Sequence, residues 1–319
     1  MILVLAGGVG AARFLKGLVQ VAPPADIVTV VNTGDDTELH GLSISPDIDT
    51  VTYTLADAID PTRGWGLRDE TWRAMEALAR FEDVRPKHSH AAPRWFNLGD
   101  QDLATHFYRT ARLREGATLA EVTDEIRRAF EVTVQILPMS NDVVRTHVHL
   151  EKETVTFQEY FVKLKHNVAV TGVDFEGATT ASFIDLSLIE NAARIIIAPS
   201  NPIVSIGPMR ALAGIDNALS QVRDKVVAIS PIVAGTALKG PADRMLVELG
   251  HEPTVVGVAR LYKEICGTLV IDQQDAHLAS DVEKTGMRCV VTDTIMSRPG
   301  VSMALAQCAL DAVDIQGGK

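Results

Sequence analysis

The sequence is poor in cysteine, in aromatic residues and in positive charge, and it has no long apolar run. Its three cysteines, Cys266, Cys289 and Cys308, stand far apart in no metal-ligand spacing, which argues against a disulfide framework and a zinc site. Lys and Arg number 30 against 41 Asp and Glu, and the formal charge of −11 repels nucleic acid as a bulk polyanion. A phosphate-bearing ligand must then be held locally, by backbone amides, a few cations or a bound metal. No stretch approaches the roughly 18 apolar residues of a membrane helix. The opening run MILVLA lacks a basic flank and is shorter than the ~7–15-residue core of an export signal. The expectation is a cytoplasmic protein with a small-molecule site and neither a nucleic-acid nor a membrane partner.

What the chain has instead is alternation. The β-branched runs MILVLA, IVTVVN, ARIIIAPS, KVVAIS, TLVID and RCVVTD are separated by helical patterns such as ARFLKGLVQV, ADRMLVELG and MALAQCALDAV. Strands that are apolar without interruption are buried on both faces, so the fold class is α/β: a Rossmann-like parallel sheet with helices on both faces. The middle differs. From about Asp69 to Ala129 the patterns are mainly helical, and from Val132 to Lys165 period-two stretches (VRTHVHL, TVTFQEYFV) suggest an antiparallel meander. The chain therefore divides into an α/β nucleotide-binding domain, residues 1–60 and 166–319, and a helical and β-meander insertion, residues 61–165, covering the site. RPKHSHAAPRW reads as a surface loop.

Gly7, Gly8 and Gly10 fall where the first strand hands over to a helix. A turn without side chains there lets backbone N–H groups approach a phosphate at the helix N-terminus; the alternative is a tight turn whose glycines serve packing. The dinucleotide pattern G-x-G-x-x-G fails at its last position, occupied by Arg13, which is placed to offer a cation to phosphate. The second strand ends in VVNTGDDTELHG, with Asp35 and Asp36 at the carboxyl edge of the sheet, and SPDIDT adds Asp47 and Asp49. Four carboxylates on converging loops repel one another unless a cation sits between them, and Mg²⁺ prefers such oxygen ligands and bridges them to phosphates. The plainer alternative for each is a helix cap or a solvated loop acid.

Further polar loops share that edge. WFNLGDQDLATH offers Asn97, Asp100 and Asp102, the last also a reasonable N-cap; PSNPIVSIGP offers Ser200, Asn201 and Ser205; SPIVAGTALKGPADR offers Ser230, Lys239, Gly240 and Arg244. Trp65 and Trp72 read equally as a stacking wall for a planar ligand and as core. His40 and His106 read as structural, or as supporting a site residue from behind, rather than as catalytic.

Taken in order, LAGGVGAARFLKGL, VVNTGDDTELHGLSISPDIDT, IDPTRGWGLRDETW, WFNLGDQDLATH, LPMSND, FQEYFV, APSNPIVSIGP and SPIVAG resemble the CofD/FbiA family. That family comprises 2-phospho-L-lactate transferases and their phosphoenolpyruvate-transferring bacterial relatives in coenzyme F-420 biosynthesis. The resemblance implies a guanosine-diphosphate-linked three-carbon acid as donor of its phospho-acyl unit to the ribityl hydroxyl of 7,8-didemethyl-8-hydroxy-5-deazariboflavin, with GMP leaving and Mg²⁺ assisting. It implies a homodimer. It further implies that Asp49, Asn97, Asp100 and Trp65 serve the deazaflavin. The Gly7–Gly10 turn, Arg13, Asn32 and the Ser200–Ser205 loop serve the donor nucleotide, with Asp35, Asp36 and Asp47 for metal and Asp49 as ligand or base. The family often has Lys, Arg or Gly where this chain has Asn97. A non-catalytic nucleotide-sugar-binding regulator of the YvcK type is the alternative, typically with GGGTG and NDGGSSG where this chain has GGVGA and NTGDD. A nicotinamide-dependent oxidoreductase rests only on the Rossmann-like opening.

Overall fold

In a computed structural model, which describes residues 1–89 and 91–314, the apolar runs become one seven-stranded sheet. Its strands are β1 (Ile2–Ala6), β2 (Ile27–Val31), β3 (Gln135–Pro138), β4 (Arg194–Ile197), β5 (Val226–Ile229), β6 (Thr268–Asp272) and β7 (Arg288–Thr292). The spatial order is β7-β6-β5-β4-β1-β2-β3 with every pairing parallel. This is the doubly wound order, which reverses between β1 and β4 and opens a crevice beyond their carboxyl ends.

Side chains alternate across the pleat. Leu3, Leu5, Val28, Val30, Ile195 and Ile197 join one core, while Ile2, Val4, Ala6, Val31 and Ile196 join another on the opposite face. Each Leu or Ile so buried contributes about 1.5–3 kcal/mol, which explains why the runs tolerate no polar interruption. Helix Val9–Leu18 lays Ala11, Phe14, Leu15 and Leu18 on the second core at helical spacing, beside the helix Val301–Asp314.

The helical middle forms as expected, with helices Arg73–Glu82, Asp100–Arg114 and Leu119–Ala129. The last opens on a capping box: Thr118 Oγ1 accepts from the Glu121 amide at 3.3 Å, and Glu121 Oε2 accepts from the Thr118 amide at 2.8 Å. The expected meander is corrected at both ends. Gln135–Pro138, read as part of it, is the edge strand of the main sheet, paired with β2. Its alternating burial reports a half-buried strand without naming the partner. The antiparallel sheet proper places Arg145–Leu150 between Thr154–Thr156 and Val170–Glu176. FQEYFV leaves it as a π-helical turn, Glu159–Lys163. His90 of the expected surface loop and the last five residues of the expected α/β domain lie outside the described residues. Among the described residues no helix is long and apolar enough to cross a membrane.

Candidate active site

The crevice between β1 and β4 is lined by the glycine turn and the PSNP loop. The Gly7 amide donates to Ser200 Oγ at 3.1 Å, tying the end of β1 to the loop after β4. Helix Val9–Leu18 then starts from Gly8 without any side-chain cap, so its first amides are left to face a ligand. The glycines also serve packing. A Cβ on Gly10 would collide with the Pro199 carbonyl oxygen, and one on Gly8 would stand 2.6 Å from Asp47 Oδ1. Asn201 shapes the facing loop, its Oδ1 accepting from the Ile203 amide at 2.9 Å while its carbonyl accepts from Ser205 at 3.1 Å. Gly7, Gly8, Gly10, Ser200, Asn201 and Ser205 are therefore brought together, with Arg13 one turn into the helix.

The acids reach this crevice by two routes. After β2, Asn32 Nδ2 donates to Asp47 Oδ2 at 3.1 Å and to the Val204 carbonyl at 3.4 Å, while its Oδ1 accepts from the Gly34 amide at 2.9 Å. A hairpin, Thr37–Leu39 with Leu42–Ile44, turns on His40 (φ 56°) and Gly41 (φ 72°) and brings Ser45 back to donate to Asp36 Oδ2 at 2.6 Å. Asp47 and Asp49, expected on a loop, lie instead in the first turn of helix Pro46–Leu55, where carboxylates favour the positive end of the dipole. Two residues apart on a helix is about 200° of rotation, so they face different ways. Asp47 faces Gly8 and Asn32; Asp49 faces helix Asp100–Arg114, where Arg109 Nη1 meets its Oδ2 at 3.1 Å and Nη2 its Oδ1.

Burial dominates the electrostatics of the crevice acids. It raises Asp35 well above the carboxylate range, helped by the charges of Asp47 and Asp36 and opposed by the nearby polar side chains of Thr146 and Asn32. It raises Asp36 to about 7 against the Ser45 hydroxyl and the charges of Arg109 and Arg145, and Asp47 to about 6 against Asn32. Asp35 Oδ1 and Asp36 Oδ1 are buried without a hydrogen-bond partner. Such oxygens fit a hard cation. The sign of the pH effect follows. These acids hold protons in the folded chain that the unfolded chain, with carboxylates near ~3.9, has released, so stability declines as pH rises from about 4 to about 7. In metal-free buffer the melting temperature of Asp36→Asn should decline less across that window than wild type, and Mg²⁺ should stabilise wild type more at pH 8 than at pH 5. Parallel pH curves for the two proteins in differential scanning fluorimetry would remove Asp36 from this account.

Behind Asp49 lies a polar network that sequence reasoning missed. Arg109 is 0% exposed, and its Nη1 also approaches His106 Nδ1 at 3.2 Å. Asp102, expected as an N-cap, is not one: the helix begins at Asp100 after Gly99, and Asp102 is buried, accepting from the Tyr53 hydroxyl at 2.7 Å. It lies 3.4 Å from His106 Nε2. Among the described residues the three acids or histidines whose ligand atoms all lie within 4.8 Å of one another are Asp49, Asp102 and His106, not Asp35, Asp36 and Asp47. Arg109 supplies positive charge to that trio already. The available signal was the 102, 105, 106, 109 spacing, one helix face occupied by polar residues.

The remaining candidates are more peripheral. Trp65 and Trp72 pack on each other, centroids 5.7 Å apart, under the Arg63 guanidinium at 5.4 and 4.9 Å. Trp65 stays 41% exposed. Asn97 is exposed on the loop before Gly99. Asp100 accepts from the Thr71 amide and hydroxyl at 2.8 and 2.9 Å, which gives it a structural task. Ser230 closes its own turn by accepting from the Ile232 amide at 3.1 Å, and Arg244 is held by Glu248 at 2.6 Å. Of the SPIVAGTALKG loop, Lys239 is exposed and its ammonium lies over Gly64.

Known proteins resemble this chain in sequence and fold. The family described as 2-phospho-L-lactate transferase CofD matches residues 2–308. A phosphoenolpyruvate transferase of Streptomyces griseus is 41% identical over 321 residues, covering 98% of each chain. One from Nocardia farcinica is 39% identical over 324 residues, covering 99% of this chain and 95% of its own. A solved structure of a UPF0052 family member from Bacillus halodurans shares the fold, with a TM-score of 0.60 at 15% identity over 97% of this chain and 98% of its own.

Proposed function

This chain belongs to the 2-phospho-L-lactate transferase CofD family and is a transferase of coenzyme F-420 biosynthesis; on that premise we propose that it moves a phosphoenolpyruvyl or 2-phospholactyl unit from a guanosine-diphosphate-linked donor to a deazariboflavin. The observation that carries the reading is the pair of unpartnered buried oxygens on Asp35 and Asp36, together with a switch-point helix N-terminus that has no side-chain cap. Phosphoryl transfer asks for alignment and neutralised charge more than for covalent chemistry. The uncapped amides and Ser200 would hold the donor's phosphates at the switch point. The ribityl hydroxyl oxygen attacks the phosphorus that bears the three-carbon acid, the bond from that phosphorus to the oxygen of GMP breaks, and the hydroxyl proton passes to a carboxylate of the acidic set. GMP leaves with the bonding electron pair.

Asp35 and Asp36, whose buried oxygens lack partners, would hold Mg²⁺, which supplies charge neutralisation at the phosphates when bound, and Asp47 would join them only once the metal draws the three together. Asp49 has a structural task beside the roles expected of it. With both oxygens on Arg109 it anchors the acidic helix to helix Asp100–Arg114, and so sets where Asp47 stands. The test is incubation of the protein with the deazariboflavin, Mg²⁺ and each of the phosphoenolpyruvate-, phospholactate- and phosphoglycerate-derived donors, with mass spectrometry of the products. The expected result is a phospho-acyl-modified deazaflavin and one GMP per turnover. Donor binding without product from any of the three would return the chain to the nucleotide-binding regulator reading.

A further inference from the structure

Among the described residues, four buried side-chain oxygens without a hydrogen-bond partner belong to the acidic loop after β2 and to the strand laid against it: Thr33 Oγ1, Asp35 Oδ1, Asp36 Oδ1 and Thr146 Oγ1. The two hydroxyls are buried as deeply as the acids, Thr33 at 3% and Thr146 at 1% exposure. A buried hydroxyl without a partner is a cost to the fold that a methyl group of the same size would avoid.

Thr146 comes from the inserted region. In the strand Arg145–Leu150 it is buried together with Val148 and Leu150, while the residues between them are only half-buried. Val148 and Leu150 enter an apolar cluster with Phe157 and Tyr160, and Thr146 is the polar end of that face. Its position against the acidic loop is fixed by the backbone. The Thr146 amide donates to the Gly34 carbonyl at 2.7 Å, and Thr146 Oγ1 lies 2.7 Å from where a Cβ on Gly34 would stand. Gly34 thus leaves room for the hydroxyl, with Thr33 and Asp35 on either side of it in the chain. Gln158, also of the inserted region and 6% exposed, holds the same loop by donating its Nε2 to the Asp35 carbonyl at 3.3 Å.

We propose that the Thr146 hydroxyl serves the divalent cation held by Asp35 and Asp36, as an oxygen of its coordination or hydration shell. The inference rests on the metal reading of those two acids. Valine has the shape of threonine and would fill the apolar end of this strand equally well, so the hydroxyl answers to the polar side of the position, which is the acidic loop. Mg²⁺ takes hard oxygens and keeps several of its waters, whose O–H groups donate to a hydroxyl oxygen. A hydroxyl adds such an oxygen without adding a third negative charge to two acids that already repel each other. The inserted region would then contribute to the cation site as well as cover it.

The test titrates Mn²⁺, standing in for Mg²⁺, into the full chain with GDP present, and follows the loss of the free ion's electron-spin resonance signal in wild type, Thr146→Val and Thr146→Ser. Thr146→Val should bind Mn²⁺ about 10- to 100-fold more weakly, and Thr146→Ser, which keeps the oxygen, within a fewfold of wild type. Thermal melts give an independent readout. In metal-free buffer Thr146→Val should melt at or above wild type, because it deletes an unpartnered buried hydroxyl, whereas Mg²⁺ should stabilise wild type more than the variant. Unchanged Mn²⁺ affinity in Thr146→Val would overturn the proposal. So would a metal-free melting temperature well below wild type, which would make the hydroxyl a structural donor to the acidic loop. Wild type that binds no Mn²⁺ would overturn the metal reading of Asp35 and Asp36 itself.

Discussion

Replacing Arg109 by Met should cost about 3–5 kcal/mol, the usual result of removing one partner of a buried ion pair. The guanidinium is 0% exposed, is gripped by both oxygens of Asp49, and lies close enough to Asp36 to feel its charge. Its loss leaves Asp49, 5% exposed, without a counter-charge at the joint between helices Pro46–Leu55 and Asp100–Arg114. The melting temperature should drop by roughly 5–15 °C, given the few degrees that each kcal/mol is worth in a chain of this size. Asp49→Asn should be costly for the mirror-image reason, so it tests the fold as much as the chemistry. The double variant Asp49→Asn/Arg109→Met discriminates. If the pair acts as a unit, the double loses clearly less than the sum of the singles. Strict additivity in thermal melts would mean that the two side chains stabilise the chain separately and that Asp49 is no anchor.

Gly10→Ala should reduce donor binding at least about tenfold, and Gly10→Val more. The reason is steric. Even a methyl group collides with the Pro199 carbonyl oxygen, a backbone atom that can retreat only by moving its loop. Helix Val9–Leu18 must then shift from the Pro199–Ser205 loop, stretching the 3.1 Å bond from the Gly7 amide to Ser200 Oγ and displacing the amides that face the phosphates. Overpacking of this kind costs about 1–3 kcal/mol. Because the acceptor side is built by other elements, deazaflavin affinity should stay within a fewfold of wild type. Calorimetry showing equal losses for GDP and deazaflavin would mean general unfolding and sink the local account.

The strands were legible because burial on both faces demands unbroken apolar runs, and the sheet's parallel character followed from that requirement alone. The switch-point glycines were legible too, since a strand-to-helix turn that lacks side chains has few physical explanations. Their second use was not: the oxygen against Gly10 belongs to Pro199, and such contacts between distant segments leave no local trace. β3 shows the same limit in the sheet, because alternation reveals that Gln135–Pro138 is half buried but not that β2 is its partner.

The acids divide along the same line. Composition and spacing by themselves determined that several carboxylates crowd one edge of an α/β sheet, and hence that a cation or protons must relieve them. Tertiary structure alone decided which acids do so. The helical rotation between Asp47 and Asp49 sends the first to the crevice and the second to Arg109, 60 residues away in sequence. A sequence records which charges exist and what lies within one turn of helix or strand. The pairing of charges depends on Coulomb energy and desolvation, which depend on distance and burial, and those are properties of the folded chain.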